Sequence, residues 1–263
     1  MIKRLLSTAI LSAACSLTYA QTSGFLTASL NRLNWSGSTI ARSNVGPIGQ
    51  KAHFTYLEIE AGKLGEWGDL YGFADIENPH HANDYERDPR GNRRFVLKLV
   101  GRHQLSKIAG VPLFAYAQIY DLRDKDFFDQ NRVFGLSTEL SEGKLWIKPF
   151  LGVHQEFKSG IGAQFNGGMA GYVAGYDFSL AGQALSVTQW HETEFSRRSQ
   201  FLTMAEPDRI VTGHRSGQNG AVSLWWKIAA DISTGLSYRY ANHKLGVAGI
   251  EDGWIITVKY HFK

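Results

Sequence analysis

The chain is poor in the features that mark several large protein classes. It has 1 cysteine in 263 residues, which excludes an intramolecular disulfide and any Cys-cluster metal site. It has 6 prolines and no Pro-rich linker. No single charge dominates: 28 Lys and Arg face 24 Asp and Glu. That balance gives no nucleic-acid footprint, so no nucleic-acid partner is expected. No long uncharged run reads as a membrane helix. The strongest candidate, residues 159–176, holds many glycines with Ser159, Gln164 and Asn166; it reads as a loop leading into a strand. What is abundant is aromatic residues, at 13%, and glycine, at 28 residues. A chain so rich in aromatics is not disordered.

Residues 1–20 read as a secretory signal peptide. Lys3 and Arg4 form a basic start, residues 5–17 an apolar stretch too short to span a bilayer, and Thr18-Tyr19-Ala20 a small-residue cleavage site. Cleavage after Ala20 removes Cys15, two basic residues and no acidic one, leaving 26 basic against 24 acidic residues. The rival use of Cys15, lipidation, wants an aliphatic residue where Ser12 stands. Residues 21–263 are then one domain.

Beyond Ala20 the hydrophobic period is two, and no amphipathic helix is expected. In residues 253–262, Trp254, Ile256, Val258, Tyr260 and Phe262 share one face, and Ile255, Thr257, Lys259 and His261 the other. Similar alternation runs through residues 54–61, 95–105, 183–194, 220–229 and 232–242. Weaker candidates are 25–33, 68–76, 113–122, 133–140, 145–157 and 168–180, for a total of twelve strands. Pro149 falls inside one of them, so that strand should start late or carry a bulge. The connections alternate. Short ones are expected at 62–67, 106–112, 141–144, 181–182 and 230–231. Long ones are expected at 34–53, 77–94, 123–132, 158–167, 195–219 and 243–252. This alternation fits an all-β fold: a 12-stranded antiparallel up-and-down transmembrane β-barrel, with short periplasmic turns, long outer loops and both chain ends in the periplasm. The partner of its apolar face is then outer-membrane lipid, and the location the outer membrane of a Gram-negative bacterium. A soluble lipocalin-like barrel is the competing reading. It would turn the same charges outward to water, but gives no reason for aromatic strand ends such as Trp226, Tyr238 and Trp254.

In the transmembrane reading the polar face is the lumen. Tyr56, Glu58 and Glu60 form one wall. Asp69, Tyr71, Phe73 and Asp75 form a second, and Lys98 and Arg102 lie on the next strand. Tyr116, Gln118 and Tyr120 offer a third wall of ambiguous phase. Each inward charge has an alternative role in pairing with its neighbours and filling the interior. His80-His81 is a weak metal motif and a solvated pair on its simpler reading. His214 and Ser216, or His191 and Glu192, fall short of a hydrolase triad. No metal, cofactor or catalytic residue is assigned, and the chain is not read as an enzyme. The loop 195–219 is either an inward lid or a surface loop.

Several stretches resemble the nucleoside-specific channel-forming family of outer membranes, the Tsx-like and OmpK porins. They are Thr55-Tyr56-Leu57-Glu58-Ile59-Glu60-Ala61, Trp67-Gly68-Asp69-Leu70-Tyr71-Gly72-Phe73-Ala74-Asp75 and Phe114-Ala115-Tyr116-Ala117-Gln118-Ile119-Tyr120-Asp121. Gly135-Leu136-Ser137-Thr138-Glu139-Leu140 and the closing residues 253–262 look similar too. Departures lie in residues 40–53, in the long loops and in the terminal Lys263, where such chains end in an aromatic. The resemblance implies a twelve-stranded monomeric channel for nucleosides or similar small solutes. A plugged structural or receptor barrel, with phage or other surface ligands at its loops, is the alternative; an outer-membrane hydrolase is a further one.

Overall fold

A computed structural model describes residues 23–43, 51–81, 92–125, 127–203, 214–244 and 249–263. The expected signal peptide and residues 204–213 of the connection read as a lid or a surface loop lie outside the described residues.

Hydrocarbon offers no hydrogen-bond partner, so strands crossing it must pair on both edges. The chain meets this demand with a closed ring. The strands are β1 (Ser23–Trp35), β2 (Phe54–Gly65), β3 (Gly68–Glu77), β4 (Arg94–Ile108), β5 (Val111–Arg123) and β6 (Phe128–Thr138), then β7 (Leu140–Glu142), β8 (Leu145–Lys158), β9 (Gly162–Leu180) and β10 (Gln183–Phe195), and last β11 (Gly217–Lys227), β12 (Ile232–Asn242) and β13 (Ile250–His261). Each pairs antiparallel with its neighbour in the chain, and β1 pairs with β13, Thr27 opposite His261 and Trp35 opposite Gly253. β6 and β7 are two pieces of one strand: both pair with β8. Twelve strands therefore form the barrel.

The break in the sixth strand has a cause in Pro149. The strand carrying Pro149 does not start late but at Leu145, and the bulge opposite it at Val153–Gln155 puts its extra residue on β9, not on the proline's strand. The partner strand yields instead. Continuing the register of Ser137 with Phe150 places Thr138 opposite Pro149, and proline has no N–H to donate. Arg102 donates Nη1 to the Thr138 carbonyl at 3.3 Å in its place.

Two expected long loops are short. The connection expected at 158–167 is only 159–161, and β9 runs from Gly162 through most of the glycine-rich stretch read as loop. Residues Asn166 and Gly167 bulge there, with Gly167 at φ +80°, so the period of two loses its phase midway. The connection expected at 123–132 is only 124–127, because β6 begins at Phe128 among polar residues. The long outer connections also hold two short helices that a period-two reading misses, α1 (Gly37–Ser43) and α2 (Ser199–Thr203). Ser36 caps α1, accepting from the Thr39 N–H at 3.1 Å.

The outer surface is apolar. Leu30, Ile59, Leu97, Leu136, Leu151 and Ile256 point outward and are 40–58% exposed. Aromatics flank this belt at both ends, with Trp226, Tyr260 and Phe262 on the periplasmic side and Tyr238 against Trp254 at 5.2 Å on the outer side. Charges point inward. The β1–β13 seam is joined by more than its ladder. Thr257 donates to Asn31 at 2.6 Å, and Lys259 reaches past β1 to Glu60 on β2 at 2.5 Å. At the outer end Ser36 donates to Asp252 at 2.5 Å, Lys51 meets Glu251 at 2.5 Å, and Arg42 holds the Ile250 carbonyl. Burial pulls the Lys51 ammonium below its usual range, and the Glu251 charge works against that shift.

The orientation of the two faces is testable at Ile59, midway along β2. Ile59→Arg is expected to destabilise the barrel in lipid vesicles by about 2–4 kcal/mol, the cost of a cation at mid-bilayer. Reversible urea unfolding measures this. A change under about 0.5 kcal/mol, as at an exposed surface site, would mean that Ile59 faces water.

Candidate functional site

The barrel encloses a cavity of about 1370 Å³. Its lining runs from Phe25 and His261 at the periplasmic end to Lys51 and His243 at the outer end. All nine singled-out residues line it: Tyr56, Glu58, Glu60, Asp69, Tyr71, Phe73, Asp75, Lys98 and Arg102. Strand parity puts them there. Glu58 lies opposite Asp75, Glu60 opposite Phe73, and Asp69 opposite Arg102. The ambiguous third wall also faces inward, with Tyr116, Gln118 and Tyr120 in the lining.

These residues separate into two kinds of surroundings. Asp69 and Arg102 are held in an ionic cluster near the periplasmic end. Arg102 grips Asp69 and also donates to Glu139 at 2.8 Å. Lys148 reaches Asp69 from across the lumen at 3.2 Å. Arg102 is only 4% exposed, and its guanidinium lies 4.5 Å from the Phe114 ring. A charge so placed needs its partners. This cluster fills space.

Lys98 is the second tethered cation. It crosses the lumen to Glu192 on β10 at 2.6 Å. Gln118 donates to the same carboxylate at 3.0 Å, and Tyr116 donates to Gln118 at 2.5 Å. A polar bar thus joins β4 and β5 to β10. Between this bar and the Arg102 cluster, Tyr116 stacks on Phe150 at 4.4 Å, with Val133 and Met169 packed beside them. The wall from β5 to β9 is therefore filled by its own side chains.

The β2–β3 wall carries aromatic rings and carboxylates. Tyr71 donates to Glu60 at 2.8 Å, and its ring lies 6.4 Å from Phe73. Ser29 donates to Glu58 at 3.1 Å. Asp75 Oδ1 has no hydrogen-bond partner among the described residues. Trp190 and Arg239 stand on the far side of the lumen, the guanidinium 4.7 Å from the ring centroid. Arg239 donates to the Gly220 and Tyr240 carbonyls, and no ion pair to it is seen among the described residues.

Trp190, Glu192 and Arg239 went unmarked as site residues in the sequence. The parity of residues 183–194 reaches the first two: Ser186 and Thr188 begin the inward face, which continues through Trp190 and Glu192. Glu139 and Lys148 are harder to find. Glu139 sits in the gap between β6 and β7, where parity gives no face.

The outer mouth carries the histidines. His214 and His243 have ring centroids 3.7 Å apart, and Arg197 donates to the carbonyls of both. Burial holds His243 below the usual histidine range, and the His214 and Arg197 charges push it the same way. His191 lies on the outer face of β10, bonded to Tyr240 and Thr193 at 2.9 Å each.

Among solved structures the chain is similar to three Pseudomonas aeruginosa proteins. OccK2 (OpdF) matches at 10% identity and TM-score 0.32, over 93% of this chain and 98% of that one. OccK9 (OpdG) matches at 8% identity and TM-score 0.34, over 92% and 98%. OprD matches at 14% identity and TM-score 0.29, over 90% and 66%. The barrel described above rests on its own strand order and not on these likenesses. The family model described as nucleoside-specific channel-forming protein, Tsx, matches residues 30–262. The chain belongs to this family, and it is an outer-membrane channel for small solutes such as nucleosides.

Proposed function

We propose that nucleosides travel along the β2–β3 wall, meeting Tyr56, Glu58, Tyr71, Phe73 and Asp75, with Trp190 and Arg239 opposite. The carrying observation is the composition of that wall, where rings alternate with carboxylates along a cavity lined from end to end. A nucleoside is uncharged, with a flat base and a polyol sugar. Rings stack on the base, worth about 1–3 kcal/mol each in nucleic-acid systems. Carboxylates accept from sugar hydroxyls, and the Asp75 oxygen without a partner is such an acceptor. Binding stays weak enough for release because the contacts are spread along the path.

On this reading Asp69, Arg102 and Lys98 set the width of the path and leave recognition to the other wall. Their charges are engaged in ion pairs. Glu60 is shared between Lys259 and Tyr71 and orients the Tyr71 ring. We assign no catalytic role. Among the described residues neither His214 nor His191 is bonded to a carboxylate that would orient it as a base. The apolar belt suits a monomer surrounded by lipid.

Single-channel current in a planar bilayer tests the path. Adenosine and thymidine are expected to block saturably, and glucose is not. Tyr56→Ala and Phe73→Ala should each raise the half-blocking concentration roughly 5- to 150-fold, the equivalent of one lost stack. Unchanged block in both folded variants would remove these rings from the path.

The bar is tested separately. Glu192→Gln and Lys98→Met should each raise open-channel conductance. Their double-mutant cycle should give a coupling of about 0.5–3 kcal/mol in urea unfolding, as for residues in direct contact. Strict additivity would mean that the two side chains do not meet in the membrane-embedded protein.

A further inference from the structure

The lipid-facing surface is not uniform. Where β6 meets β8 and β9 it holds a groove of about 480 Å³. Phe134, Leu136, Leu151 and Val153 flank it, each 50–58% exposed. Its floor is backbone. Gly135 lies opposite Gly152, their side-chain positions turned to the lumen, so the groove between the outward rows meets only their backbone. On the β9 side Gly168 leaves room for the Phe195 ring; a Cβ there would meet it at 2.4 Å. Side-chain-free backbone between exposed aliphatic walls makes a slot of the kind an acyl chain fills.

The rim above the groove is polar and cationic. Arg132 lies two residues toward the outer end from Phe134, in register with Gln155. It donates Nε to Gln130 at 2.5 Å and Nη1 to Gln155 at 3.2 Å. Its Nη2 has no hydrogen bond to the described residues. Arg123 and Asp121 pair at 3.0 Å on β5, and Gln130 donates to Asp121 at 2.8 Å. Two arginines, Arg123 and Arg132, thus face one aspartate, Asp121, along this rim.

We propose that this face binds one anionic, acylated glycolipid of the outer leaflet, the chemistry of lipid A. One acyl chain lies in the groove, a phosphate meets Arg132, and the glutamine amides meet sugar hydroxyls. Three features select this occupant. The groove is apolar and within the membrane belt. The rim carries excess positive charge, and guanidinium is a strong bidentate phosphate donor. The rim lies at the outer end of the barrel, remote from the chain ends and short turns, so it faces the outer leaflet. The site lies on the opposite side of the wall from the solute path and does not depend on it.

The test is native mass spectrometry of the folded, detergent-solubilised barrel, titrated with diphosphoryl lipid A and, in parallel, phosphatidylglycerol. The expected result is one retained lipid A per barrel, bound more tightly than phosphatidylglycerol. Arg132→Gln should weaken lipid A about tenfold or more through loss of a charged contact. Val153→Trp, which fills the groove, should weaken it as well. Both variants should keep gel heat-modifiability, conductance and nucleoside block. If Val153→Trp does not fold, Leu151→Phe takes its place. Wild-type lipid A affinity in Arg132→Gln and in the folded groove variant would overturn the proposal. So would phosphatidylglycerol binding as tightly as lipid A and weakening in parallel, since the site would then serve anionic phospholipid.

Discussion

The ring of backbone hydrogen bonds is the constraint on which everything else rests. In hydrocarbon an unpaired N–H or C=O has no substitute partner. The chain therefore pairs each strand twice, and the first strand pairs with the last. One place where the ladder is interrupted proves instructive. Pro149 brings no donor, and a lumenal guanidinium donates a hydrogen bond to the Thr138 carbonyl opposite. The same Arg102 anchors the Asp69 cluster, so backbone satisfaction and lumen architecture share a residue.

Closure inverts the usual placement of charge. With lipid outside, the interior must take the ionisable side chains, and a twelve-stranded ring is too wide for neighbours alone to satisfy them. Lys98 and Lys148 therefore reach across the lumen. The stacked Tyr116–Phe150 pair fills the space between. The bore is set by these side chains more than by the number of strands.

Much of this was legible in the sequence, because period-two alternation is a direct image of the two faces. It put Glu58, Asp75, Lys98 and Thr257 on the inward face, where the structure has them, since their strands keep phase through these positions. It failed where phase is lost. The Asn166–Gly167 bulge disguised the start of β9, residues 162–167, as a connection. The polar start of β6 hid Gln130 and Arg132, because they face outward near the rim, where an apolar residue is no longer required. Lumen-spanning contacts were illegible for a different reason. Which side chain of β10 meets Lys98 depends on the shear and diameter of the closed ring, and no local pattern encodes these.

The seam between β1 and β13 carries one more consequence. Any barrel whose first and last strands part can release cargo sideways into the bilayer. Here the seam is braced at three heights: midway Thr257 joins Asn31 across it, near the periplasm Lys259 reaches past β1 to Glu60 on β2, and at the outer end Ser36, Arg42 and Lys51 of the β1–β2 connection hold residues 250–252. Parting them would expose ladder and ion pairs to lipid together. Traffic through this protein is thereby confined to the barrel axis, and the membrane beside it is closed as an exit.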